Sequence, residues 1–384
     1  MKDETRLVHT GRSSEQHIGA VNTPVYRAST ILHPTLAALE GNTLPYGYGR
    51  RGTPTTRGLE ESICALEGGA RTVLTPSGLS AVTAAILSVV GAGDHLLMVD
   101  SCYDPTRTFC DGTLKRFGVE TTYYHPTITP DELGALIRPN TKALFLESPG
   151  SITFEVQDVP ALTAVAKTRG LSVLADNTWA TPLWFKPLAH GVDLSILSAT
   201  KYVVGHADAL LGTITANESH VARLMAFHGQ FGMNVSGDDA YLAQRGLRTM
   251  AVRLARHQET GLKLAHWFRG QNEVARVLHP ALPECPGHAI WQRDIGKACG
   301  LFGVELKPIP KRAVAAMLDG LELFGMGWSW GGFESLAVTE KWKRVAPGSH
   351  KPQGPLLRFH AGLEDSGDLI ADLEAGIARL RNAA

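Results

Sequence analysis

From Arg71 to Ser198 short apolar runs alternate with helix-length segments, and this alternation constrains the fold more than any other feature of the chain. RTVLT (71–75) leads into LSAVTAAILSVV, HLLMVD (95–100) into PTRTFCDGTLKRFG, VETTYY (119–124) into TPDELGALIR, and KALFLE (142–147) into DVPALTAVAKTRG. LSVLAD (171–176) and DLSILS (193–198) complete the series. Strands separated by crossovers of that length pair in parallel and are covered by helices on both faces, so their residues read as unbroken apolar runs. The sequence predicts a large α/β domain around a mostly parallel sheet. The charge-free stretch Thr72–Gly93 is broken by Pro76-Ser77-Gly78. What remains is shorter than the roughly 20 apolar residues of a membrane span and reads as a buried helix.

The flanks differ from this centre. Residues 1–51 are rich in Pro, Gly, Thr and Tyr with little periodicity, and are expected to form an arm docked on a partner. The large domain is assigned to 52–247 and a smaller α+β domain to 248–384. In the latter, RLARHQETGLKLAHWFRG, with apolar residues at 254, 262, 264 and 268, reads as a long helix, GVELKP (303–308) as a strand and LIADLEAGIARL (369–380) as a closing helix. Charged residues make up 19% of the chain, against a usual share of about 25%. That balance suits a protein that buries much of itself and covers more by oligomerising.

Thirty-seven basic and 37 acidic residues leave no net field, which disfavours nucleic acid or an anionic membrane as a partner. Five cysteines without a C-x-x-C pair indicate neither a disulfide framework nor a zinc site and fit a reducing cytoplasm. The start, MKDETRLVHTGR, has no apolar run behind it, so neither a secretory signal nor a lipid anchor is expected. The 15 histidines show no metal-ligand spacing, and no metal is expected.

Gly47-Tyr48-Gly49-Arg50-Arg51-Gly52 matches G-x-G-x-x-G but follows no strand, which argues against a dinucleotide site and a nicotinamide-dependent oxidoreductase. Tyr48 and Arg50 are better suited to present a hydroxyl and a guanidinium to a phosphate. Ser198-Ala199-Thr200-Lys201 lies just beyond the last predicted strand. Desolvation there lowers an amine's pKa and permits the neutral form that condenses with an aldehyde, while Ser198 and Thr200 offer hydroxyls to a phosphate. Asp176 ends the preceding strand on the same sheet edge. Lysine and acid together match the division of labour around pyridoxal phosphate, one for the aldehyde and one for the ring nitrogen. Ser77-Gly78-Leu79 opens a helix as an anion site, and Tyr103, beyond HLLMVD, is placed to stack on a flat ring. Trp328-Ser329-Trp330-Gly331-Gly332 sets rings beside glycines, as in a pocket wall. Arg358 stands in the apolar run LLRFH, where it needs either an acidic partner or an anionic ligand.

Taken together, YGRRGTPT, LESPGSITFEVQDVPA, ADNTWAT, SATKYVVGHADALLGT, QRGLRTMAVRL, SWGGFESL and LRFHAGLEDSGDLIADL resemble the cystathionine β-lyases of the Cys/Met-metabolism family of pyridoxal-phosphate enzymes, from about residue 5 to the C-terminus. The resemblance implies a fold-type-I subunit in a homotetramer of two active dimers. It implies Lys201 as the Schiff-base lysine, Asp176 as the partner of the pyridinium and Tyr103 as the stacked ring. Gly78, Leu79, Ser198 and Thr200 would form the phosphate cup, with Tyr48 and Arg50 reaching it from the neighbouring subunit. Arg358 would bind the substrate α-carboxylate beside Ser329 and Trp330. SWGG and ESPGS, where the γ-lyase and γ-synthase branch usually reads SLGG and ETPxNP, point to the β-lyase branch, which implies β-elimination of L-cystathionine to homocysteine, pyruvate and ammonia. A γ-lyase or γ-synthase, or a cysteine-conjugate lyase or desulfhydrase, is the alternative within the family. Near the substrate's distal end the family's tyrosine has no counterpart, and AFHGQFG stands there instead.

Overall fold

The computed structural model describes residues 1–384. Its larger sheet has seven strands: β1 (Arg71–Thr75), β2 (His95–Val99), β3 (Glu120–Tyr124), β4 (Thr141–Glu147), β5 (Ser172–Asp176), β6 (Leu194–Leu197) and β7 (Gly212–Ala216), in the order β1-β7-β6-β5-β4-β2-β3. The six runs expected as strands all form. β7 joins them antiparallel to both β1 and β6, and the other pairs are parallel. GTITA carries too little apolar character to announce a strand. It is buried because it closes the gap between two others, where Thr215 Oγ meets Thr72 Oγ at 2.8 Å. Every residue of β2 is buried, as expected of a central parallel strand covered on both faces.

The second sheet is built from β8 (Val274–Leu278), β9 (Leu301–Leu306), β10 (Phe324–Gly325), β11 (Ser335–Glu340) and β12 (Leu356–His360), in the order β10-β11-β12-β9-β8. It packs against the long helix Met250–Arg269 and the closing helix Ser366–Asn382 around its own apolar core. The stripe expected on the long helix holds at Leu254, Leu264 and Phe268, whereas Leu262 is only half-buried. No helix is long and apolar enough to cross a membrane.

The arm is less irregular than its composition suggests. Asp3–His9 is helical, Leu7 is buried in the main core, and the Arg248 guanidinium donates to the Leu7 carbonyl. A single buried apolar position in seven residues leaves no periodicity to detect. Ile18, Leu32 and Leu36 stay exposed.

Glu67 ends the helix Pro54–Glu67 and is buried beneath β6, where the Ser195 hydroxyl donates to Oε1 at 3.0 Å and Oε2 has no partner. Burial pushes its carboxyl up from 4.5 to about 8, against the opposing effects of Ser195 and Lys186. The folded chain therefore keeps a proton that the unfolded chain releases, and stability from this site is lost as pH rises from 4.5 through about 8. The isosteric Glu67→Gln removes that penalty. Its stability should match the parent's at acid pH and exceed it by roughly 3 kcal/mol at pH 7. Melting temperatures of the two proteins that run parallel from pH 5 to 8 would refute the assignment.

Candidate active site

The C-terminal ends of β4, β5 and β6 open into a cavity of about 320 Å³, closed on the far side by the loop that carries Trp328, Ser329 and Trp330. Parallel strands direct every crossover turn to this edge, so the chemistry-bearing residues that follow them gather there.

Lys201 follows β6, and its Nζ donates to Ser329 Oγ at 2.5 Å and lies 5.3 Å from the Trp330 ring centroid. Burial lowers its pKa from 10.5 to about 8, with Arg358 adding to the fall and Asp176 opposing it. A neutral amine is thus within reach near neutral pH. Asp176, at the end of β5, accepts at Oδ1 from the Thr178 N–H (3.0 Å) and the Thr178 hydroxyl (2.5 Å). The Thr178 oxygen in turn accepts the Ser198 N–H at 2.9 Å, tying the acid to the segment that carries Lys201. Both bonds fall on Oδ1, which leaves Oδ2 for a ligand. Burial raises the pKa of Asp176, while Thr178 and Lys201 hold it down.

Directly across from Asp176 in the β4–β5 register stands Glu147, which the sequence reading passed over. Burial, then the charge of Asp176, push its carboxyl well above the usual range, favouring the neutral acid. Its Oε2 accepts the Tyr103 N–H at 2.9 Å, so Glu147 sets the turn that presents the Tyr103 ring to the cavity. Its position at a strand end on the same edge as Asp176 was the signal available.

The helix Gly78–Leu87 points its N-terminus at the cavity. Ser77 Oγ accepts the Ser80 N–H at 3.1 Å and the Ser77 carbonyl accepts the Ala81 N–H at 3.0 Å. The N–H groups of Gly78 and Leu79 precede these bonds and remain available to an anion. A Cβ on Gly78 would lie 2.3 Å from Ser198 Oγ, so glycine is what keeps this cradle open. Thr200 reaches the cavity wall, but its hydroxyl donates to the Leu211 carbonyl (3.2 Å) and accepts the Leu211 N–H (3.0 Å). Ser198 is therefore the freer hydroxyl of the two.

Arg358 projects from β12. Its Nη1 lies 2.9 Å from Glu340 Oε1, and its Nη2 donates to the Ser329 carbonyl at 3.5 Å. Val338 is the register partner of Arg358, so Glu340, two residues further along β11, shares the same face diagonally. The pair is nearly dry, with side chains 13% and 10% exposed. Burial lowers the pKa of Arg358 and Glu340 counters it. Of the two options the sequence left open for Arg358, the structure supplies an acidic partner in Glu340, and the guanidinium still lines the cavity.

Tyr48 and Arg50 are not brought to this cavity by their own chain. Tyr48 is exposed, and Arg50 donates to the Gly229 carbonyl at 3.1 Å. AFHGQFG lies at the end of the helix Val221–Gln230, where Phe227 and Phe231 stack on each other.

An anion cradle, a half-buried lysine, a carboxylate with one open oxygen and a tyrosine ring line one slot, and this set fits a flat phosphorylated pyridine aldehyde. The profile of the Cys/Met metabolism PLP-dependent enzymes matches residues 4–378. A putative cystathionine beta-lyase of Rhizobium johnstonii is 52% identical over 97% of this chain and 95% of its own. Cystathionine beta-lyase MetC of Escherichia coli is 44% identical over 99% of both chains. Among solved structures, metB from Corynebacterium glutamicum superposes with a TM-score of 0.92 at 30% identity, covering 99% of this chain and 98% of that one. Sequence, fold and cavity agree that the chain belongs to the Cys/Met metabolism family of PLP-dependent enzymes and uses pyridoxal phosphate as its cofactor.

Proposed function

We propose that the chain is a carbon–sulfur lyase that eliminates the thiol at Cβ of L-cystathionine, releasing homocysteine, pyruvate and ammonia. The observation that carries the reading is the convergence of Lys201, Asp176 and Arg358 on one cavity, in a chain 44–52% identical to proteins named cystathionine beta-lyase. Pyridoxal phosphate, when bound, supplies an electron sink conjugated to the substrate's Cα. The Gly78 and Leu79 N–H groups with Ser198 would hold its phosphate, joined by Thr200 once its hydroxyl turns from Leu211; Tyr103 would cover its ring, and Asp176 would keep a proton on its nitrogen. Arg358 takes the substrate α-carboxylate. The neutral amine of Lys201 removes the Cα proton and returns a proton to the sulfur as the Cβ–S bond breaks. Ser329 Oγ, 2.5 Å from Nζ, guides the lysine between the two positions. Addition of water to the three-carbon remainder yields pyruvate and ammonia.

The division into an arm (1–51), a cofactor domain (52–247) and a C-terminal domain (248–384) belongs to the same reading. The exposed arm, with Ile18, Leu32 and Tyr48 uncovered, is suited to embrace a second subunit, where Tyr48 and Arg50 would reach that subunit's phosphate in a homotetramer. All five cysteines are free thiols, which suits a reducing cytoplasm.

The test is to supply L-cystathionine to the cofactor-loaded protein and identify the oxo acid. Pyruvate with homocysteine is expected; 2-oxobutyrate with cysteine would move the chain to the γ-lyases and overturn the significance given to Trp330. Replacing Arg358 by leucine removes the carboxylate's partner and strands Glu340. KM should rise by about 100-fold, the usual scale for losing a charge-assisted pair, with a smaller change in kcat. Steady-state kinetics with unchanged KM would reject this role.

A further inference from the structure

Ser329, which touches Lys201, holds a φ of 88°, a left-handed conformation that non-glycine residues adopt only when their surroundings impose it. Gly331 follows at a φ of 87°, and a Cβ there would lie 3.0 Å from the Lys201 carbonyl carbon. The loop is therefore pressed against the backbone of Lys201 in a shape it would not take alone. The group that meets it is His360. Its Nε2 accepts the Gly331 N–H at 3.0 Å, and its Nδ1 faces the Glu334 carbonyl at 3.2 Å. An accepting Nε2 puts the proton on Nδ1, which then donates to that carbonyl. The imidazole thus pins both ends of the glycine turn.

His360 is itself firmly seated. It is 1% exposed, two residues beyond Arg358 on β12, and packs against the rings of Tyr202 and His257. Tyr202 is the neighbour of Lys201 and also packs on Trp330, so one aromatic cluster backs both the lysine and the loop. Burial, then His257, with Arg358 and Lys201 adding to them and the Glu334 carbonyl opposing, favours a neutral His360, the form the acceptor role needs.

We propose that His360 is a positioning residue for the elimination: by accepting the Gly331 N–H it holds the Ser329–Gly331 loop in its left-handed turn and keeps the Ser329 hydroxyl on Lys201. This rests on the reading of Lys201 as the proton carrier. Arg358 is held by Glu340 at 2.9 Å and meets the loop only through the longer 3.5 Å bond to the Ser329 carbonyl, so the loop's main effect falls on proton transfer rather than on carboxylate capture.

The test compares His360→Gln and His360→Asn in the cofactor-loaded, full-length protein. The glutamine amide oxygen extends as far as Nε2 and can accept from Gly331, whereas asparagine stops at the level of Nδ1. Amide hydrogen exchange of the segment containing Gly331 should be about five- to tenfold faster in the asparagine variant, the worth of one hydrogen bond, and close to the parent's in the glutamine variant. In parallel, kcat should fall by about tenfold in the asparagine variant with KM within about twofold, and recover in the glutamine variant. Parental exchange and kinetics in His360→Asn would overturn the proposal. If that variant fails to fold, the glutamine variant decides alone, since a folded His360→Gln protein with a fast-exchanging loop and low kcat also overturns it. The exchange result does not depend on which oxo acid is formed, so failure of the β-lyase reading is seen separately.

Discussion

Replacing Lys201 by alanine is expected to lower kcat for pyruvate formation by about 10⁴-fold, the upper range for loss of a positioned general acid–base group. In the proposed reaction Lys201 carries the proton on both sides, and no other lysine lines the cavity. Ser329 Oγ, its nearest polar neighbour, is a hydroxyl that cannot act as a base near neutral pH. Cofactor should remain bound without its covalent link, because Gly78, Leu79, Ser198 and Asp176 are untouched. Assay of the dialysed variant and measurement of its retained cofactor check both halves, and near-normal turnover would reject the assignment. The parent protein offers a companion observation. Burial sets the lysine near 8, so kcat should decline as pH falls through that value and protonates the freed amine.

Asp176→Asn carries the second largest expected effect, a fall in kcat of about 10³-fold. The amide oxygen can still accept from Thr178, so the fold of the turn survives. On the proposed reading, what disappears is the negative charge that would keep the ring nitrogen of the bound cofactor protonated and so sustain its capacity to withdraw electrons from Cα. Glu147 cannot substitute. It lies opposite Asp176 but is pushed toward its neutral form by burial and by Asp176 itself, and its Oε2 is committed to Tyr103. Substrate affinity, which the proposal assigns to Arg358, should change little, so the loss should appear in kcat and scarcely in KM. Equal losses in both would instead assign Asp176 to substrate binding.

The parallel sheet was legible because its evidence is local: four of the six expected strands are short runs followed by a helix-length segment, and LSVLAD and DLSILS repeat the apolar pattern. β7 was not, since GTITA owes its burial to β1 and β6 on either side. The helix at Asp3–His9 was hidden for the same reason, its one buried side chain being defined by the core it enters. In the site, Lys201, Asp176, Tyr103, Gly78 and Leu79 were readable as residue types placed just beyond strand ends on one edge. Thr200 was readable as a neighbour of Lys201, but the partner of its hydroxyl, Leu211, was not.

The sequence by itself determined the class of fold, the sheet edge on which chemistry gathers, and the kind of residue found there, because hydrophobic runs and turn residues act over a few positions. Tertiary structure alone decided that Ser329 meets Lys201 across 128 positions, that Glu340 neutralises Arg358, and that His360 holds the loop between them. The physical reason is that desolvation and pairing of a charge depend on what packs around it. Strand register and domain closure set those neighbours, and neither is written within any one segment of the chain.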